Sequence, residues 1–485
     1  MFKKIQKFIT YFSKYGYAKA SICYVFANMI GQGVVLLSSA IFTRMLDKAS
    51  YGLVSTYSTW VLVINTCICL NLFITVRNAY IDFREDYNRY SSSVLLLSLI
   101  AGSMITILIV FVNYAAGTAF TTAEVILACM QSVALNAVNF ELAVLSMQNR
   151  YKARAVLMIA PNWTHILLSI VLMLSCTGSL YMAKIAGNAF GMAAFGLICL
   201  IAVFKRSRPQ IIPAYWSYAL KISLPSIFNT LSDLLLMQSD RLMLTALAGA
   251  EETAEYSVVY NVSSIIVAIY QAINGAWTPV FYRLINEDRA ATARRYETYY
   301  LLVFSVFTCG MMTVCPEMIK IISPRIYWNS IGYAGAIVVA SHVIFLYSFM
   351  TTYLLFRKKT GIIARNTVIA AVTNVLLNNW LIADYKSVGA VAATVISYVM
   401  LFLLHYFSVG KLARAYLAVK DIWMSFGVVT VYGTAFFFLK DMWKLRYLLY
   451  AVFVAATAWK NRDEIKLFFS GAIEEKEDSK CDIRI

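Results

Sequence analysis

The chain has 485 residues, of which 60% are hydrophobic and 14% charged, and its formal net charge is +17. Soluble domains carry about 25% charged residues, so this composition excludes an ordinary soluble domain. The basic residues fall in short runs between apolar segments of about 20 residues, a placement that speaks for a membrane and against nucleic acid as partner.

Such segments cross a bilayer as helices, because lipid leaves no other way to satisfy the backbone. The expectation is an all-α integral membrane protein. Residues 1–19 hold Lys3, Lys4, Lys7, Lys14 and Lys19, with Phe2, Ile5, Phe8, Ile9, Phe12 and Tyr15 at helical spacing. They read as an amphipathic helix on the inner membrane surface, since the apolar core and cleavage site of a signal peptide are missing. Fourteen spans follow, near 20–43, 52–76, 92–113, 122–147, 156–176, 181–203, 219–247, 256–280, 297–315, 329–356, 362–382, 388–409, 421–439 and 446–460. With the N-terminus inside, about 31 of the 42 Lys and Arg lie on the inner side. Both termini are then cytoplasmic, and the polar tail 461–485 is expected to be disordered.

A weak repeat divides the spans. Thr43-Arg44 ends the first span and Tyr51 opens the second; Asp240-Arg241 ends the seventh and Tyr256 opens the eighth. The halves would be an N-lobe at 20–203 and a C-lobe at 219–409, with 421–460 adding two helices. Parallel repeats bracket a central site in several transporters.

Polar stripes point to that site. In the eighth span Tyr256, Tyr260, Ser263, Ser264, Gln271, Asn274 and Thr278 share one helical face, opposite Val262, Ile265, Ile266, Ile269 and Ile273. The first span aligns Asn28, Gln32, Ser39 and Thr43. The seventh aligns Ser226, Asn229, Thr230, Asp233 and Asp240, and the eleventh Thr367, Asn374 and Asn378. A water-filled lumen accounts for four aligned stripes; interhelical packing accounts for any single Ser or Thr. Charges within spans mark function more sharply. The lumen candidates are Arg44, Asn28, Gln32, Asp233, Asp240, Arg241, Tyr260, Gln271, Asn274 and Trp277. Trp277 also reads as an interfacial anchor, Arg44 as a snorkelling residue, and the aspartates as members of an internal ion pair. Glu141 is open to either reading.

His165, His342 and His405 lie in three different spans, and the nine cysteines show no ligand spacing, so no metal site is expected. No Walker motif or nucleophile elbow is present. No catalytic residue and no cofactor are expected, leaving a proton or sodium gradient, or downhill consumption outside, to drive any transport.

IFTRML followed by YG (Ile41–Leu46, Tyr51-Gly52), QSDR (Gln238–Arg241), YSVVYNV (Tyr256–Val262) and AWTPVFYR (Ala276–Arg283) resemble the bacterial polysaccharide and O-antigen flippases. These Wzx-like transporters belong to the multidrug, oligosaccharidyl-lipid and polysaccharide exporter superfamily. The resemblance implies two six-helix lobes in a V-shaped, MATE-like bundle in the bacterial inner membrane. It also implies translocation of a polyprenyl-pyrophosphate-linked oligosaccharide (an O-antigen, capsule or exopolysaccharide unit, part of lipopolysaccharide or other polysaccharide biosynthesis) from inner to outer leaflet. The partners so implied are that lipid-linked oligosaccharide, membrane lipids and other polysaccharide-assembly proteins. Flippases of this family are thought to use a cationic lumen, whereas Asp233 and Asp240 here stand beside Arg241 and Arg44. A drug/cation antiporter of the same fold is the first rival reading. A membrane polysaccharide polymerase or ligase is the second, disfavoured by short outer loops.

Overall fold

The computed structural model describes residues 16–116, 120–175, 178–410, 413 and 415–462, with side chains from Ala27 onward except Ala276. The expected N-terminal surface helix and C-terminal tail fall almost wholly outside these residues. Among the described residues there are fourteen α-helices and no strand. They are α1 (Gly16–Met45), α2 (Lys48–Ile68), α3 (Thr75–Asp82), α4 (Tyr87–Ala116), α5 (Thr122–Met147), α6 (Tyr151–Ser175) and α7 (Leu180–Arg206). The second half comprises α8 (Pro213–Leu247), α9 (Ala250–Asn286), α10 (Ala290–Ile322), α11 (Ile331–Phe356), α12 (Thr360–Val409), α13 (Val419–Leu439) and α14 (Trp443–Lys460). Every expected span is occupied by a helix. Among the described residues nine helices are each long and apolar enough to cross a membrane, so the chain is an all-α membrane protein.

Two spans depart from a simple rod. The second was expected to run unbroken to residue 76. Instead α2 stops at Ile68, a 3₁₀ turn covers Leu72–Ile74, and α3 leaves at 67° to α2. Leu70 and Asn71 hold φ values of 50° and 53°, a left-handed conformation that no helix can propagate through. The break has a use. Asn71 Nδ2 donates to Ser226 Oγ at 3.1 Å and Thr230 Oγ1 at 2.9 Å, both on α8. The other departure is α12, whose two arms, 360–385 and 387–409, meet at Lys386 (φ 49°, ψ −129°). A Cβ on Gly389 would lie 2.1 Å from the Leu381 carbonyl oxygen. Only glycine allows the arms to double back so tightly, and this reversal brings Asn378 and Thr394 to one place.

Helix α8 ties the halves together. Near its start, Tyr215 donates to Asp86, Tyr218 to Asp82, and Trp216 Nε1 to the Ser93 carbonyl at 3.0 Å. Its other half packs on α12 and α9. The ends of α1 and α2 around Arg44 meet the ends of α8, α9 and α10 in a polar seam. Thr43 Oγ1 donates to the Ile322 carbonyl at 3.0 Å, Ser55 pairs with Ser257 at 2.6 Å, Thr56 with Thr245 at 2.5 Å, and Lys48 with Glu255 at 2.5 Å. Gly52 rests against Ala250, where an added Cβ would lie 1.8 Å from the carbonyl oxygen. This is the closed end of the protein. The charged pairs deeper in the bundle are structural: Arg206 grips Glu141 with both guanidinium arms, and the buried Arg446 joins α14 to Glu317 of α10. Glu141, open to two readings from sequence, is thus a paired anchor.

Candidate functional site

The polar stripes of α1 and α9 face each other, and the bond from Ser264 Oγ to Gln32 Oε1 (3.0 Å) marks where they part. Towards Arg44 from that bond the stripe is sealed. Ser39 and Tyr51 hydroxyls lie 2.8 Å apart, Asn261 Nδ2 donates to Tyr51 at 3.3 Å, and Ser263 is buried. Away from it the helices separate, leaving Asn28 on α1 and Gln271, Gly275 and Pro279 on α9 exposed. Asp233 of α8 is also exposed and forms no ion pair among the described residues. Exposed polar groups thus lie on α1, α8 and α9 on the side of that bond away from Arg44.

The open face of α9 is turned by about 70° from the middle of its polar stripe. Asn274, within the stripe, is half-buried, its Oδ1 accepting from Thr278 and Thr352 at 3.3 Å each. Trp277, offered by the sequence as a cleft residue, is 1% exposed. Its ring packs against Phe281, Tyr300 and Phe349. Trp277 therefore belongs to the apolar core of the second half. Single cysteines test this rotation. In a cysteine-free background a hydrophilic maleimide should label Gln271→Cys and leave Ser263→Cys and Tyr256→Cys unlabelled. Equal labelling of all three would contradict an open face at Gln271.

Asp240 is 1% exposed and lies at the meeting point of α8, α9 and both arms of α12. Its Oδ2 accepts from Tyr256 Oη at 2.5 Å and Thr394 Oγ1 at 2.7 Å, and its Oδ1 from Asn378 Nδ2 at 2.5 Å. Asn374 extends the cluster: its Oδ1 accepts from Ser239 at 2.8 Å and Asn378 at 3.0 Å. All the donors to Asp240 are neutral. Buried carboxylates normally pair with a cation, and the adjacent Arg241 turns elsewhere. Arg241 lies 4.6 Å from the Tyr260 ring centroid, with its buried Nε unmatched. Tyr260 is held by a 3.1 Å bond to the Met237 carbonyl. Among the described residues Arg241 forms no ion pair.

Arg44 behaves differently from Arg241. It donates to the carbonyls of Ile321 at 2.7 Å and Ile322 at 2.8 Å, and to its own Ala40 at 2.6 Å. These are the exposed carbonyls at the end of α10, where a cation is favoured by the helix dipole. Arg44 thus fastens the closed end and does not line the cleft. The sequence reading missed Asn71, Thr394 and Gly52; the glycine in a Tyr-Gly pair opening a span was the one signal available. Among the described residues no three His, Cys, Asp or Glu side chains converge as metal ligands would.

Comparison with known proteins places the fold. The chain aligns with a structure of the lipid II flippase MurJ in an inward-closed conformation at TM-score 0.68 and 15% identity, covering 92% of this chain and 99% of that one. An inward-facing multidrug resistance MATE transporter of the MOP superfamily aligns at TM-score 0.59 and 14% identity, covering 80% and 96%. A MOP superfamily transporter from Pyrococcus furiosus, described as having a binding pocket of reversed polarity, aligns at TM-score 0.51 and 16% identity, covering 81% and 96%. At these identities the likeness is one of fold. No curated protein matches the sequence significantly. The profile of the polysaccharide biosynthesis protein family matches residues 17–285. That span covers more than half the chain, from α1 to α9: the chain belongs to the polysaccharide biosynthesis protein family.

Proposed function

We propose that this protein is a flippase that carries a polyprenyl-pyrophosphate-linked oligosaccharide from the inner to the outer leaflet of a bacterial inner membrane by alternating access. In this reading both termini are cytoplasmic, and residues 20–203 and 219–409 form the two moving lobes. The end at Arg44 then faces outward, and the form described above is open to the cytoplasm. The observation that carries the proposal is the set of exposed polar groups on α1, α8 and α9, which we read as lining a cleft, with Arg241, free of any ion pair among the described residues, towards its closed end. A sugar headgroup cannot cross hydrocarbon unaided, whereas its lipid tail stays in the bilayer. The cleft supplies hydrogen-bonding groups at the exposed Asn28, Asp233 and Gln271. Arg241 supplies a planar fork of donors suited to pyrophosphate oxygens. Asp240 is the candidate ion site. Its carboxylate and the Tyr256 and Thr394 hydroxyls form a hard oxygen set with one formal charge, which suits a proton or a single alkali cation.

The test uses Arg241. Arg241→Lys keeps the charge and loses the fork; Arg241→Ala loses both. Charge-assisted hydrogen bonds are worth about 1.5–3 kcal/mol, so uptake of the lipid-linked sugar should fall by about 10- to 100-fold in the alanine variant and less in the lysine variant. Membrane abundance should hold. Full transport by Arg241→Ala in a deletion strain overturns the role. The exposed carboxylate of Asp233 favours one second reading, a drug or cation antiporter on the same fold. Dye efflux that depends on Asp233, without accumulation of lipid-linked sugar in the deletion strain, would decide for it.

A further inference from the structure

Lys184 lies near the start of α7, inside the first half and away from the cleft, and is 3% exposed. Its ammonium is surrounded by neutral groups. Nζ donates to Asn188 Oδ1 at 2.8 Å, reaches Ser169 Oγ at 3.5 Å, and sits 3.6 Å from the centroid of the Phe42 ring of α1. Two oxygens and an aromatic face thus occupy all three of its donors. This arrangement suits a charged amine, because the attraction to the ring face requires a cation. A charge here is costly without an anion, and among the described residues Lys184 forms no ion pair. On its own helix Tyr181 interacts with Glu124 of α5, and several ionisable groups on the surrounding helices are engaged elsewhere. From α5, Glu124 closes a capping box with Thr121, and Glu141 binds Arg206 at the far end of α7. Tyr57 of α2 donates to Gln131 of α5, and Arg44 of α1 binds the end of α10. From α4, Arg89 binds Gln210. From α6 comes His165, half-buried, one turn before Ser169, with its Nε2 3.4 Å from Asn162 and its Nδ1 unmatched.

Phe42 makes this site more than packing. The next two residues, Thr43 and Arg44, are the ones bonded to the Ile321 and Ile322 carbonyls of α10 across the closed end. One short stretch of α1 therefore touches the Lys184 ammonium on one side and the opposite half of the protein on the other.

We propose that Lys184 is a proton-binding site of the first half, reached through His165, and that its charge holds the closed end shut by fixing Phe42 and thereby Thr43 and Arg44. The inference rests on the alternating-access part of the proposed function and is independent of the substrate. Protonated, Lys184 holds the ring, and α1 stays in register with the end of α10. When the proton leaves, the ring attraction is lost and the seam at Ile321 and Ile322 loosens. Low pH therefore favours the closed end and high pH favours its opening.

The experiment needs no substrate. Spin labels would replace the exposed Leu180 and Tyr385, at the closed ends of α7 and the first arm of α12, in a full chain whose nine cysteines have been replaced. The label distance would be read by pulsed electron resonance in nanodiscs from about pH 6 to about pH 9, a range that a buried lysine can cross. The unmodified Lys184 protein should pass from short to long distances as pH rises. Its closed-to-open ratio should change about tenfold for each unit of difference in proton affinity between the two forms. Lys184→Met should abolish the response and leave the open form in excess at every pH; Lys184→Gln serves if Met fails to reach the membrane. Lys184→Arg, permanently charged, should stay closed throughout. His165→Asn should slow the response after a pH jump without moving its midpoint. An unchanged pH response in Lys184→Met, no response in the parent, or an arginine variant that opens would each overturn the proposal. If lipid-linked sugar is not carried but the distances respond, the substrate reading fails and this one stands.

Discussion

Gly52→Leu should reach the membrane in normal amount and fail to carry substrate. The reason is a backbone contact between halves. A Cβ at residue 52 would lie 1.8 Å from the Ala250 carbonyl oxygen and 2.6 Å from its carbon. Neither atom is the end of a flexible side chain, so strain is relieved only by moving α2 away from α9. The three atoms nearest to that Cβ all belong to Ala250 of α9, so the clash falls on the contact between α2 and α9. Overpacking costs about 1–3 kcal/mol, which shifts a two-state equilibrium by about 5- to 150-fold towards the open form. The seam would lose its Ser55–Ser257 and Thr56–Thr245 bonds at the same time. A cysteine at Ser257, 1% exposed in the closed form, should become reactive to a hydrophilic maleimide in the Gly52→Leu background and remain unreactive without it. Normal transport by Gly52→Leu, or an unreactive Ser257→Cys in that background, would show that the leucine does not hold the seam open.

The second large effect is expected at Asp240, where two substitutions should separate. Asp240→Ala strands Tyr256, Thr394 and Asn378 in a buried site. Each unmet donor costs about 1–3 kcal/mol, so membrane abundance should collapse. Asp240→Asn keeps the shape and an acceptor oxygen and removes the charge. Abundance should be mostly retained while transport falls, and whatever dependence on pH or sodium the parent shows should flatten. The measurement is abundance together with transport in proteoliposomes under imposed proton and sodium gradients. Asp240→Asn that keeps both full transport and the parent's ion dependence would make the cluster a packing device. So would full recovery of Asp240→Ala by a second change that merely fills the space.

Much of the architecture is written along the chain. Each of the fourteen spans could be placed because a membrane helix is a local object: its length is set by bilayer thickness and its composition by lipid. The pairing of Arg44 with Tyr51 and of Arg241 with Tyr256 was legible for the same reason, since each pair lies within one connection. In both halves the tyrosine does bond back to the preceding helix, to Ser39 in one and to Asp240 in the other. The polar faces read on α1 and α9 do meet, through the bond between Ser264 and Gln32.

What the sequence by itself determined, then, is the class of protein, its helices and the polar faces that two of them turn towards each other. Tertiary structure decided what each polar residue does, because in a bundle a side chain's role depends on helix rotation and on partners far away in sequence. The rotation of α9 puts Trp277 in the core and leaves Gln271 exposed, and spacing along the helix alone does not fix that rotation. Asp240 reads as a lumen charge until α12 reverses at Lys386 and brings Asn378 and Thr394 to it from 138 and 154 residues away. Arg44 and Arg241 occupy matching places in a repeat, yet one meets the carbonyls that end α10 and the other an aromatic ring. Long-range contacts of this kind leave no periodicity in the chain, and they separate the fastening of the closed end from the groups left to face a substrate.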